Sequence, residues 1–179
     1  MKTFDLNTDA FVNAINTAIK GNAGNDTIQK DSVVKLTKVI RCNEDSEDNL
    51  PSIMLVFEDG NAGTISDFRN FSGKTADNLG KQLQAHNLVL GRLGADLSNI
   101  SEDLSFISGD GSMQDKFTGL YNYYASKYTG VIGTEIGIEV GYDSVGSRYN
   151  ISKYVQPRAI SVATETEVPS SSTEDNLPF

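Results

Sequence analysis

The sequence predicts a mainly β chain with helical insertions, an α+β arrangement of five strands with a helix before the first and a long helical segment between the third and fourth. Three observations carry this. Ile132, Thr134, Ile136, Ile138 and Val140 alternate with Gly133, Glu135, Gly137, Glu139 and Gly141, the pattern of a half-buried strand with glycines on its other face. Asp59-Gly60-Asn61 separates two β-rich runs and is a strong short-range hairpin signal. Over residues 113–128, Phe117, Leu120, Tyr121, Tyr124 and Tyr128 fall instead at helical spacing.

The remaining elements follow in order. Thr8 can cap a helix whose apolar residues Phe11, Ile15 and Ile19 recur every four positions, widened by Val12 and Ala18 and ended by Gly21; it reads as an appendage packed on the main domain. The β-branched stretch from Val33 to Arg41 is a long first strand. An acidic loop over residues 43–50 leads to Pro51, followed by strand Ile53 to Phe57, the Asp59-Gly60 turn and a third strand from Ala62 to Asp67. Residues 75–90 hold a helix with Leu79, Leu83 and Leu88 on its stripe, and residues 91–112 are less regular. After the alternating strand, a turn at Asp143 to Gly146 returns the chain through Arg148 to Val155, and Pro157 closes it.

Strand, strand, strand, helical insert, strand, strand is the order of the five-stranded oligonucleotide/oligosaccharide-binding (OB) barrel. On this reading residues 1–157 form an OB-like domain whose insert, about residues 68–128, far exceeds the short helix of a minimal barrel. Residues 158–179 are rich in Ser, Thr, Glu and Pro and read as a disordered acidic tail.

Composition excludes several classes of function. The chain has 179 residues, one Cys (Cys42) and one His (His86), so neither an intrachain disulfide nor a Cys/His zinc cluster can be built. His86 reads as a surface or helix-end residue and Cys42 as a small buried thiol. With 15 basic and 24 acidic residues the net charge is −9, of which −3 lies in the tail (Arg158 against Glu165, Glu167, Glu174 and Asp175) and −6 on residues 1–157. A nucleic-acid site must therefore be a local stripe on an acidic body. A Gly-rich phosphate loop, a nucleophile elbow and a second histidine are all absent, so the familiar catalytic constellations are missing and no enzyme is expected. The acidic loop lacks the turn Gly and downstream Glu of a hand-type calcium site, and neither metal nor cofactor is expected. No run is long enough to cross a bilayer, which with the single cysteine predicts a soluble, cytoplasmic protein.

The tail ends in Glu174-Asp175-Asn176-Leu177-Pro178-Phe179. This acidic, apolar-Pro-Phe tip resembles that of the single-stranded DNA-binding proteins of bacteria and their phages. The resemblance implies sequence-tolerant binding of single-stranded DNA during replication, recombination or repair, in the host cytosol for a phage protein. It also implies that the six tip residues dock on partners such as a helicase, primase, polymerase or recombinase. Phe179 offers a ring to an apolar pocket, and Pro178 limits the freedom lost on binding. The motif covers six residues, and the long insert fits a phage-type relative better than the tetrameric bacterial protein.

Single-strand binding needs cations that follow phosphates and exposed rings on which bases stack. Three segments supply both: Lys35, Lys38 and Arg41 in the first strand; Phe68, Arg69, Phe71 and Lys74 after the third; Tyr142, Arg148, Tyr149, Lys153 and Tyr154 in the last hairpin. With regular pleating Tyr149 and Tyr154 face opposite ways, so one of them at most serves as a platform. The alternative from another class is a structural, virion-associated or assembly protein whose acidic body serves protein contacts.

Overall fold

The computed structural model describes residues 8–20, 32–46, 49–61, 63–71, 75–143 and 148–155, with the backbone alone for residues 19, 20, 32, 142, 143, 148 and 149. Helix α1 (Thr8–Lys20) is followed by strands β1 (Ser32–Cys42), β2 (Ser52–Glu58) and β3 (Thr64–Asn70). Helices α2 (Ala76–Arg92), α3 (Ile100–Asp103) and α4 (Met113–Gly130) come next, with a 3-10 turn at Ser105–Ser108, and then strands β4 (Glu135–Asp143) and β5 (Arg148–Val155). The predicted tail, including Glu174, Asp175, Asn176, Leu177, Pro178 and Phe179, lies outside the described residues, as does Lys74.

The five strands form an open, wholly antiparallel sheet in the order β3-β2-β1-β4-β5. The β2–β3 turn is held as its sequence predicts: the Asp59 carboxylate accepts from the backbone N–H groups of Asn61 at 2.9 Å and Gly63 at 2.8 Å. β3 extends three residues beyond the predicted end, because Phe68, Arg69 and Asn70 continue the ladder with Met54, Ile53 and Ser52. β4 starts later than predicted. Val131 to Gly133 form a turn, with Gly133 at φ +94° donating to the Leu36 carbonyl at 2.8 Å, so Ile132 is an exposed turn residue rather than part of the strand.

Two one-residue bulges set which side chains face where. In β1, Leu36 pairs with Phe57 and Lys38 with Val56, leaving Thr37 as the extra residue. Val34 and Leu36 before it, and Val39 and Arg41 after it, therefore lie on the side covered by helices, while Lys38 and Ile40 turn to the other side. In β5 the register passes from Glu139↔Lys153 to Val140↔Ile151, leaving Ser152 unpaired. Regular pleating does not run through this strand, so the parity argument that separated Tyr149 from Tyr154 does not apply.

One face of the sheet carries Leu36, Ile53, Leu55, Phe57, Ile136 and Ile138 into a single core shared with α1, α2 and α4. The predicted stripe of α4 is buried along its length: Phe117, Leu120, Tyr121, Tyr124 and Tyr128 are all almost fully enclosed. Its start is fixed by a reciprocal capping box in which the Ser112 hydroxyl accepts from Asp115 N–H and the Asp115 carboxylate accepts from Ser112 N–H. α1 is part of the core rather than an appendage, since Phe11 is fully buried with its ring 6.5 Å from that of Phe117. It lies close on α2 at Gly80, where an added Cβ would stand 3.3 Å from the Ala14 carbonyl oxygen. In α2 the buried stripe is Leu79, Leu83, His86 and Leu90, and Leu88 is exposed.

Burial overturns the surface reading of His86. Its ring stacks on Phe71 at 4.6 Å with an interplanar angle of 22°, and Nδ1 lies 3.2 Å from the Tyr128 hydroxyl and Nε2 3.4 Å from the Asn70 carbonyl. A neutral imidazole protonated at Nε2 satisfies both contacts. Desolvation, reinforced by the nearby Arg69 charge, lowers its pKa to about 3. Cys42, at the end of β1, is half-buried rather than enclosed.

Two outcomes are expected. Phe71→Ala empties the junction of β3, α2 and α4, and denaturant unfolding followed by far-UV circular dichroism should register a loss of about 3–5 kcal/mol. The His86 contribution is fully present above the unfolded pKa near 6.5 and is lost as pH falls toward about 3, because the unfolded chain takes up the proton first. The stability difference between the native chain and His86→Gln should narrow by about 1.4 kcal/mol per pH unit below pH 6.5; a difference constant from pH 7.5 to 5 would show that the imidazole is not held neutral.

Candidate nucleic-acid interface

The sheet face opposite the helices presents rows of side chains across β1, β2 and β3. Directly opposed in one row are Ile40, Met54 and Phe68, and in the next Lys38, Val56 and Ser66. The Phe68 ring is 52% exposed and Ile40 38%, with Met54 half-buried between them. An apolar row of this kind offers a flat ring and two aliphatic flanks to a ligand. Ile40 and Met54 were not legible as site residues, because the bulge at Thr37 decides which side Ile40 takes.

Beside Phe68 the two end strands approach each other through side chains. The Tyr154 hydroxyl donates to the Asp67 carboxylate, and the Arg69 guanidinium pairs with the same carboxylate, Nε at 2.6 Å, while lying 5.0 Å over the Tyr154 ring. Burial works to lower the Arg69 pKa, but the fields of Tyr154 and Asp67 raise it overall, so the guanidinium stays charged. Desolvation holds the Tyr154 phenol well above its ordinary pKa, and the hydroxyl keeps its proton to donate. A groove of about 510 Å³ runs along β3 here, lined by Thr64, Ile65, Ser66, Asp67, Phe68 and Asn70 and, from β5, Asn150.

The predicted contact residues separate sharply in this frame. Lys38 and Phe68 share the open face and are exposed. Lys35 is exposed but stands opposite Glu58 on one side and Glu135 on the other, beside a smaller hollow of about 240 Å³ that includes Asp59. That acidic setting opposes phosphate. Arg41 points to the helix side, where it pairs with Glu44 at 2.6 Å, donates to Asn122 and lies 4.8 Å over the Tyr121 ring. Lys153 is exposed and paired with Glu139 at 3.0 Å.

Three other expectations are corrected by burial. Phe71 is fully enclosed among His86, Phe117, Tyr121 and Tyr124 and has no face on which a base could stack. Tyr154 is 5% exposed, its ring packed 5.8 Å from Phe57. Arg69 is tied to Asp67 beneath the sheet surface rather than offered to a phosphate. Tyr142, Arg148 and Tyr149 pair in the β4–β5 ladder as Tyr142↔Tyr149 and Asp143↔Arg148, and their side chains lie outside the described residues.

Among the described residues no group of three or more His, Cys, Asp or Glu is placed to hold a metal ion, and no helix is long and apolar enough to cross a membrane. No protein-family profile, curated protein or solved structure matches the chain.

Proposed function

We propose that this chain binds single-stranded DNA across the open face of β1, β2 and β3, as a non-catalytic coating protein of replication or recombination. The observation that carries the reading is the half-exposed Phe68 ring, set in the Ile40–Met54–Phe68 row beside the β3–β5 groove with Lys38 close by. A flat exposed ring is sequence-tolerant, because every base has a π-face. The strand order, with Tyr154 reaching Asp67 between the end strands, supports an OB-like barrel into which α2, α3 and α4 are inserted between the third and fourth strands. In that fold the face of strands two and three is where oligonucleotides lie. The acidic segment of residues 174–179 then serves to recruit helicase, primase, polymerase or recombinase partners, in the cytoplasm.

A protein-contact role, as in virion assembly, is favoured by a different observation: the apolar row sits on a chain of net negative charge in which Arg41, Arg69 and Lys153 are already paired with carboxylates. The two readings part in a titration of labelled oligothymidine and a matched duplex by fluorescence anisotropy. Single-strand binding predicts a clear preference for oligothymidine, weakened about tenfold or more by Phe68→Ala, the loss of one base stack. Equal or undetectable affinity for both nucleic acids would favour the protein-contact role.

With Lys38 as the cation established on this face, the affinity should fall only gently with salt. A slope of about −1 in log K against log salt is expected, at about −0.7 per phosphate neutralised. Lys38→Glu should make it shallower, and a slope steeper than about −4 would place the DNA on a basic surface elsewhere.

A further inference from the structure

The β3–β5 groove has a chemistry of its own. Its lining carries the hydroxyls of Thr64 and Ser66, the carboxamides of Asn70 and Asn150, and the Phe68 ring at its side. Among the described residues its lining holds neither Lys nor Arg, and its carboxylate, Asp67, is already engaged by Arg69 and Tyr154. A nucleobase suits it: flat, uncharged, edged with donors and acceptors, and small enough for a hollow of about 510 Å³.

We infer that the groove reads a base, and that it favours adenine. This rests on the single-strand binding proposed above and assigns the groove a role distinct from sequence-tolerant coating. A carboxamide presents a donor and an acceptor side by side, which matches the N6 amine and N7 of adenine in a bidentate pair. Asn70 extends the row of exposed residues on β3 that includes Phe68, whereas Asn150 comes from β5, so the groove offers one such group from each of the two end strands. A base unstacked from its neighbours and laid on Phe68 would bring its edge to these amides, with its phosphates outside, toward Lys38. Purines gain further from the larger area they lay on the ring.

The test uses the whole chain and two labelled oligomers of about 12 nucleotides, one all thymidine and one with a single central adenosine, which avoids the self-stacking of adenine runs. The adenosine oligomer should bind about five- to tenfold tighter. Asn70→Ala and Asn150→Ala should each cut that margin to about twofold or less, whereas Phe68→Ala should weaken both oligomers and leave their ratio in place. Equal affinity of the native chain for the two oligomers overturns the base reading and leaves single-strand binding standing. A preference that survives in both asparagine variants overturns the assignment to this groove. If neither oligomer binds, single-strand binding itself fails, and the base reading with it.

Discussion

The ring of Phe71 is where sheet and helices are joined. Standing directly after β3, it packs on His86 of α2 and on Phe117, Tyr121 and Tyr124 of α4, and Phe117 in turn meets Phe11 of α1. The chain must therefore leave β3 at a fixed angle, and this fixes which way the last residues of that strand face. Phe68, three residues earlier, points to the other side of the sheet for the same reason. Core and open face are thus two consequences of one strand: odd steps from Phe71 reach solvent and even steps turn toward the interior.

Around that junction lies a connected set of buried polar groups. Asn87 donates to the Ala18 carbonyl and accepts from the Tyr124 hydroxyl at 2.8 Å, Tyr121 donates to the Ser52 carbonyl at 3.1 Å, and His86 bridges Tyr128 and Asn70. Each bond ties a helix to another helix or to the sheet. Their net contribution is about 1 kcal/mol each, but leaving one buried partner unmade costs more, so they select one arrangement of the layers over near alternatives. The Asp67–Arg69–Tyr154 group performs the same task between β3 and β5, which no backbone ladder joins.

Much of the fold was legible because it rests on local rules. Alternation located the strands, Asp59-Gly60 the hairpin, and the Phe117-to-Tyr128 spacing the buried face of α4. What could not be read were pairings between distant segments. Phe71 sits in an Arg-Asn-Phe-Ser-Gly-Lys context that looks like a nucleic-acid contact, and only the arrival of α2 and α4 makes it core. Tyr154 and Arg69 were singled out as separate surface residues, yet 85 positions apart they form one interior cluster, since Arg69 and Tyr154 both engage Asp67. Of the residues on the open face, Lys38 and Phe68 were singled out from residue type alone, while placing Ile40 and Met54 beside them required the register.

The bulge at Thr37 decides how β1 counts its faces. Drawn into the ladder opposite Val56, Thr37 would turn every later side chain over, driving Lys38 and Ile40 into the aromatic interior and swinging Val39 and Arg41 out of it. Deleting it would not: Leu36↔Phe57 and Lys38↔Val56 already occupy successive positions of β2, so each later residue would keep its face. Thr37 is thus the position of this strand at which related chains can differ by one residue and still agree in what they turn inward, a kinship of facing rather than of length.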